Sequence, residues 1–119
     1  MNKKILIVDD DEAIVEALKL TTEMEGYRVK TASKAEEVFP MVCEFCPDLV
    51  ILDILLDGED GRIVCQSLKS NLQTQNIPVI MISAHPTMAK TVEDYGADDF
   101  LPKPFDINDL LKRISKFTQ

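Results

Sequence analysis

Four places in this chain put a reactive or charged side chain directly after a short apolar run. Ile5 to Val8 leads into Asp9, Asp10 and Asp11, Leu49 to Leu52 into Asp53, Val79 to Ile82 into Ser83, and Phe100-Leu101 is followed by Lys103 between two prolines. Such runs are too short for most helices and suit strands buried on both faces. Open parallel sheets bind their ligands beyond the carboxyl ends of the strands, where these side chains would gather. The set is then three acids (Asp9, Asp10 and Asp53), one hydroxyl and one cation.

Charge decides what such a set can do. Two carboxylates about 4 Å apart repel by roughly 4 kcal/mol at an effective dielectric of 20, so converging acids need a cation between them. An oxygen-only shell without histidine or thiolate suits Mg²⁺ or Mn²⁺ better than zinc. A hydroxyl and an ammonium facing a carboxylate-held cation make a clamp for phosphoryl oxygens, which leaves one carboxylate, Asp53, as an in-line nucleophile.

The rest of the chain reads as the elements that bring these residues together. From Asp11 to Met24, Ile14, Ala17, Leu18 and Thr21 hold helical spacing, with acids at the start and Gly26 as the stop. Tyr27 to Ala32 is a second strand. Ser33-Lys34-Ala35-Glu36 reads as a capping box opening a helix with Val38, Phe39 and Val42 on one face. Pro40 should kink that helix or delay its start, and it should end before Pro47. Leu55 to Gly61 reads as a Gly- and Asp-rich loop, then a helix from about Gly61 to Leu72 with Val64, Leu68 and Leu72 four apart. Thr87 to Tyr95 reads as a short helix stopped by Gly96, and Asp106 caps a closing helix carrying Ile107, Leu110, Leu111, Ile114 and Phe117 at helical period. Five strands alternating with five helices imply an α/β fold with a doubly wound, five-stranded parallel sheet. The strand order expected is 2-1-3-4-5, in which strands one and three flank the switch point.

Composition narrows the function classes. The 119 residues fit one domain, 1–119, and 45% hydrophobic with 29% charged is a balanced globular composition. A net charge of −8 argues against direct nucleic-acid binding or an anionic membrane surface. The four apolar residues after Lys4 are too few for a signal peptide, and no run is long enough to cross a bilayer. Three cysteines, Cys43, Cys46 and Cys65, lie in helical stretches and point to a reducing, cytoplasmic setting.

The motifs, taken together, resemble the receiver domain of two-component response regulators, whose fold is flavodoxin-like, over essentially the whole chain from Ile5 through Phe105. They are the Asp9-Asp10 pair, the strand ending at Asp53, Asp60-Gly61, Ser83-Ala84 and Lys103-Pro104, in that order. The resemblance implies that Asp53 takes a phosphoryl group from a phosphohistidine of a sensor histidine kinase or phosphotransfer protein. Mg²⁺ would be held by Asp10, Asp53 and the Leu55 carbonyl, with Asp9 assisting, while Ser83 and Lys103 bind phosphoryl oxygens. Phe100 matches the family's switch aromatic and Lys103-Pro104 its cis peptide bond. Leu55 and His85 fall at the positions that border the approach of a hydrolytic water. The output domain or downstream partner would be met through the last two helices and strand five. The departure from the family's pattern is Leu56-Asp57, where the family often has Met-Pro; it bears on the rigidity of that loop, and the added acid Asp57 is placed to tune metal affinity.

Each element has a plainer reading. Acids after a strand cap the next helix, Lys103 alone is a surface lysine, Ser83 a turn residue and Phe100 a core aromatic; their coincidence at one rim argues for the set. Cys43-x-x-Cys46 reads as structural filling rather than a redox or metal pair, and His85, on a loop, as flanking Asp53. The reading is of a phosphoacceptor switch, a signalling module rather than a conventional enzyme. The alternatives are a Mg²⁺-dependent phosphohydrolase, which would want an acid where Leu55 stands, and an interaction module independent of phosphorylation, which would lack part of the set.

Overall fold

In the computed structural model, which describes residues 2–85, 87 and 89–119, the chain runs β1 (Lys4–Val8), α1 (Glu12–Met24), β2 (Arg28–Ala32), α2 (Ala35–Phe45), β3 (Leu49–Asp53), β4 (Leu55–Leu56), β5 (Glu59–Asp60), α3 (Gly61–Ser70), β6 (Val79–Ser83), α4 (Ala89–Val92), β7 (Asp99–Pro102) and α5 (Ile107–Thr118). The main sheet is wholly parallel, in the order β2-β1-β3-β6-β7. With the small β4–β5 hairpin set aside, this is the 2-1-3-4-5 order expected from the strand and helix alternation.

The central strands read as unbroken apolar runs because both their faces are covered: every residue of β3 and β6 is buried. β2, at an edge, alternates instead. Side-chain alternation divides the interior in two. Leu6, Val8, Val50, Leu52, Val79 and Met81 pack with Val38 and Val42 of α2 and Cys65 and Leu68 of α3. Ile5, Ile7, Leu49, Ile51, Ile80 and Ile82 pack with Leu18 of α1 and with Leu110 and Ile114 of α5. Each fully buried Leu or Ile contributes about 1.5–3 kcal/mol relative to exposure, so these layers hold the strand ends in fixed register.

Capping chemistry sets the helix starts. Asp11 Oδ1 accepts from the Ala13 and Ile14 N–H groups, Asp60 from Arg62 N–H and Asp106 from Asn108 N–H. At α2 the sequence reading needs correcting. The first residue outside the helix is Lys34, whose ammonium has no lone pair to accept with; the carboxylate that reaches back is Glu37, not Glu36, taking the Ser33 and Lys34 N–H groups at 3.1 Å each. The helix also starts promptly at Ala35 and runs through Pro40 to Phe45. It ends at Cys46, which adopts a left-handed conformation at φ 54° and donates its N–H to Val42 O.

Three further expectations are revised. α3 stops at Ser70, and Leu72 is 84% exposed, because Asn71 leaves helical geometry and turns the chain toward β6. Gly61, Cys65 and Leu68 form the buried face of α3, with Val64 only partly covered. The stretch read as a loop from Leu55 to Gly61 is largely an antiparallel hairpin pairing Leu56 with Glu59 and Leu55 with Asp60. Within the stretch read as a helix over Thr87 to Tyr95, Thr87 is in 3₁₀ geometry, Ala89–Val92 is an α-helical turn, α4, and Glu93–Tyr95 is a 3₁₀ turn that Gly96 ends; Pro86 and Met88 lie outside the described residues.

Candidate functional site

Register brings the acids together. β1 and β3 pair with Val8 beside Leu52, so the next residues along, Asp9 and Asp53, leave the sheet as neighbours. Carboxylate oxygens of Asp9, Asp10 and Asp53 all lie within 4.8 Å of one another. Asp9 is buried and Asp53 is 6% exposed, whereas Asp10 is open to solvent. Lys103, delivered from beyond β7, donates its ammonium to Asp9 Oδ2 at 2.9 Å and to Asp53 Oδ2 at 3.3 Å. The Lys103-Pro104 bond is cis, as the resemblance implies.

One ammonium does not neutralise three carboxylates. Burial, and then the charge of Asp9, push the Asp53 carboxyl from the usual 3.8 up to about 6, against the opposing pull of Lys103. Burial likewise works against the Lys103 ammonium, but its hydrogen bond to Asp9 and the charges of Asp53 and Asp9 outweigh that and hold its pKa above the ordinary lysine value. An oxygen-only cluster with surplus negative charge fits a hard divalent cation.

The hairpin completes the rim. Gly61 N–H donates to Ile54 O, and by the alternation of antiparallel ladders the Leu55–Asp60 pair turns its peptide groups outward. Leu55 N–H accordingly meets Asp53 Oδ1 at 3.4 Å, which leaves the Leu55 carbonyl outside the ladder on that same side. Asp60 is drawn away from the cluster. The guanidinium of Arg62 forks onto its carboxylate, and that hydrogen bonding holds the Asp60 carboxyl below its ordinary pKa. Arg62 also donates to Thr91 Oγ1 at 2.9 Å and lies over the Tyr95 ring, linking α3 to the segment before β7.

Ser83 ends β6 across from Pro102 and is buried. Its hydroxyl accepts the His85 N–H at 3.0 Å, and its carbonyl accepts Lys103 N–H at 2.7 Å, so hydroxyl and lysine are fixed to one another through the main chain. Phe100 is partly buried against the α2–α3 layer, His85 is exposed, and Leu55 is 44% exposed.

A family model described as "Response regulator receiver domain" matches residues 5–115. The chain belongs to the response regulator receiver domain family. Phosphoryl acceptance in two-component signalling is the role of that family. This receiver is 39% identical over 113 residues to the DNA-binding dual master transcriptional regulator RpaA of Synechocystis sp., covering 93% of this chain and 47% of that protein. It is 36% identical over 116 residues to the response regulator MprA of Mycobacterium bovis, covering 96% and 50%. The crystal structure of a CheY-like receiver domain protein from Methanospirillum hungatei matches with a TM-score of 0.89 at 30% identity, covering 98% of this chain and 93% of that one. The receiver thus spans about half the length of the curated relatives it matches.

The acids, hydroxyl and lysine singled out in the sequence do converge at one rim. Reading the sequence missed the backbone donors of the hairpin, although Asp57-Gly58 is a turn dipeptide whose signal was available. It also misjudged the cysteine pair: Cys43 and Cys46 are both exposed and do not fill the core, since Cys43 lies on the outer side of α2 and Cys46 caps its end. The buried thiol is Cys65, which burial raises to about 11. Among the described residues, no helix is long and apolar enough to cross a membrane.

Proposed function

We propose that residues 1–119 act as one receiver domain in which Asp53 accepts a phosphoryl group from a phosphohistidine of a sensor histidine kinase or phosphotransfer protein, with Mg²⁺ (or Mn²⁺) held by Asp9, Asp10, Asp53 and the Leu55 carbonyl. The observation that carries this reading is the nearly buried carboxylate of Asp53, at the end of a central strand, sharing the Lys103 ammonium with Asp9. An Asp53 oxygen attacks phosphorus while the phosphorus–nitrogen bond of the donor breaks and its electron pair returns to the imidazole ring. Bound Mg²⁺ supplies positive charge to the phosphoryl oxygens during transfer. Lys103 neutralises part of the negative charge on the phosphoryl oxygens, and the Ser83 hydroxyl donates to another of those oxygens. The domain works as a switch rather than a turnover enzyme, in the cytoplasm, and passes its state to an output domain or partner through α4, β7 and α5.

The test is labelling with a small acyl phosphate. Mg²⁺ should give one base-labile acyl phosphate per chain, abolished by chelator and by Asp53→Asn. Equal labelling of the Asn variant would sink the assignment.

Transmission should involve Phe100. Recruiting Ser83 to a phosphoryl oxygen empties space beside a partly buried ring, so the ring is expected to change rotamer or exposure. Ring NMR signals unmoved by a phosphoryl mimic would exclude this route.

The signal is expected to be long-lived. A hydrolytic water must sit in line behind phosphorus, and Leu55 offers it bulk without a hydrogen bond, while the His85 main chain is occupied with Ser83. Leu55→Asn should speed loss of the phosphoryl group by ~10-fold, about 1.4 kcal/mol of barrier. The check is phosphoprotein decay after donor removal at constant Mg²⁺, and a variant no faster than wild type would show that another group controls access.

A further inference from the structure

The three carboxylates of the rim are not held alike. Asp9 is sealed in the fold and paired with Lys103, and Asp53 is nearly so. Asp10 is exposed and has no cation within ion-pair distance among the described residues. Its fixed partner is a backbone group: Asp57 N–H donates to Asp10 Oδ2 at 2.9 Å.

That donor exists because of the turn. Asp57 and Gly58 are the two central residues of the β4–β5 hairpin, at φ 46° and 86°, the signature of a type I′ turn. Along β4 successive peptide groups face opposite sides, so the N–H groups of Leu55 and Asp57, two residues apart, face the same way. Leu55 N–H points to Asp53 and Asp57 N–H to Asp10. One edge of the hairpin therefore addresses two of the three acids.

Resting on the reading of Asp53 as a Mg²⁺-assisted phosphoacceptor, we infer that the main chain of the β4–β5 hairpin, rather than the Asp57 carboxylate, positions Asp10 for the cation. Held by Oδ2, the otherwise free carboxylate keeps one oxygen for the metal, and the partial positive charge of the N–H offsets part of the repulsion among the acids. Asp57 is a positioning residue. Any side chain that tolerates φ > 0 and retains the N–H would serve, and asparagine does both.

Calorimetric titration of Mg²⁺ into wild type and three variants tests this. Asp57→Pro removes the donor and, with its φ fixed at about −65°, also opposes the turn at 46°, so it should weaken Mg²⁺ binding about 10-fold, equivalent to about 1.4 kcal/mol. Gly58→Val, which opposes the turn at φ 86° without a clash at its Cβ, should weaken it similarly. The conservative Asp57→Asn should restore affinity to within threefold of wild type despite losing the charge. A Pro variant that binds as tightly as wild type, or an Asn variant that loses as much as Pro, overturns the inference.

A second readout needs no metal. The Asp57 amide proton should resonate downfield in the metal-free protein and move upfield in Asp10→Ala; an amide indifferent to that substitution also overturns the inference. A wild type with no Mg²⁺ affinity whose Asp57 amide still responds to Asp10→Ala would reject the function reading, and the metal role of the hairpin with it, while the contact itself stood.

Discussion

Asp53→Asn is expected to make the metal-free protein more stable at pH 7.5, raising its melting temperature by roughly 5–10 °C, although the variant accepts no phosphoryl group. The reason is the displaced titration of Asp53, from 3.8 to about 6 through burial and the nearby Asp9 charge. A carboxyl whose folded pKa lies above its unfolded one stabilises the fold while protonated. That contribution is complete below about pH 3.8 and is lost as pH climbs through about 6. At neutral pH the ionised group, its attraction to Lys103 already included, then costs on the order of 3 kcal/mol, a cost the uncharged amide avoids. The advantage of Asn should shrink as pH falls toward 4, and saturating Mg²⁺ should narrow it at pH 7.5 by stabilising the wild type alone. Thermal melts of both proteins across this range check the claim. A variant less stable than wild type at pH 7.5 without metal, or a difference that ignores pH, would contradict it.

Gly61→Ala is expected to destabilise the domain by about 3 kcal/mol or more and to weaken phosphoryl acceptance at the same time. A Cβ at Gly61 would run into the carbonyl oxygen of Asp53 and approach Asp53 C and Ile54 Cα at 3.1 Å each. All three are backbone atoms at the end of a central strand, so the relief must come from moving α3 or from displacing Asp53. Gly26→Ala is the control. It meets nothing within 4 Å, and its φ of 96° should cost only about 1–2 kcal/mol of left-handed strain. Urea unfolding separates the two variants, and a Gly61→Ala protein no less stable than Gly26→Ala would show that the approach of α3 to β3 is slack.

The strands and the rim residues were legible because each signal is local and redundant: apolar runs of fixed length end in a polar residue, and the alternation of strand and helix leaves few doubly wound orders to choose from. The hairpin was harder to see. Its strands are two residues long, too short for alternation to register, so Asp57-Gly58 looked like one more loop dipeptide. The extension of α3 to Leu72 failed because helical period continued past Asn71, where the backbone did not. Glu36 and Glu37 are indistinguishable as capping partners until the first helical residue is known. The Asp57 donor escaped with it, since the outward N–H follows only once Asp57-Gly58 is read as the turn of a hairpin.

The two packing layers have a consequence for how an event at Asp53 is felt. Counting along the strands, Asp53 has the parity of Leu49 and Ile51, Asp9 that of Ile5 and Ile7, and Lys103 that of Leu101, all of which face α1 and α5. Ser83 has the parity of Val79 and Met81, and Phe100 packs on that same opposite side, toward α2 and α3. The ionic knot and the responsive pair thus belong to different sides of a wall. A phosphoryl group on Asp53 that engaged Ser83 would act as a rivet through the rim, joining two faces that the sheet otherwise insulates. A surface remote from the carboxylates could then register its arrival while β1, β3 and β6 stay where they are.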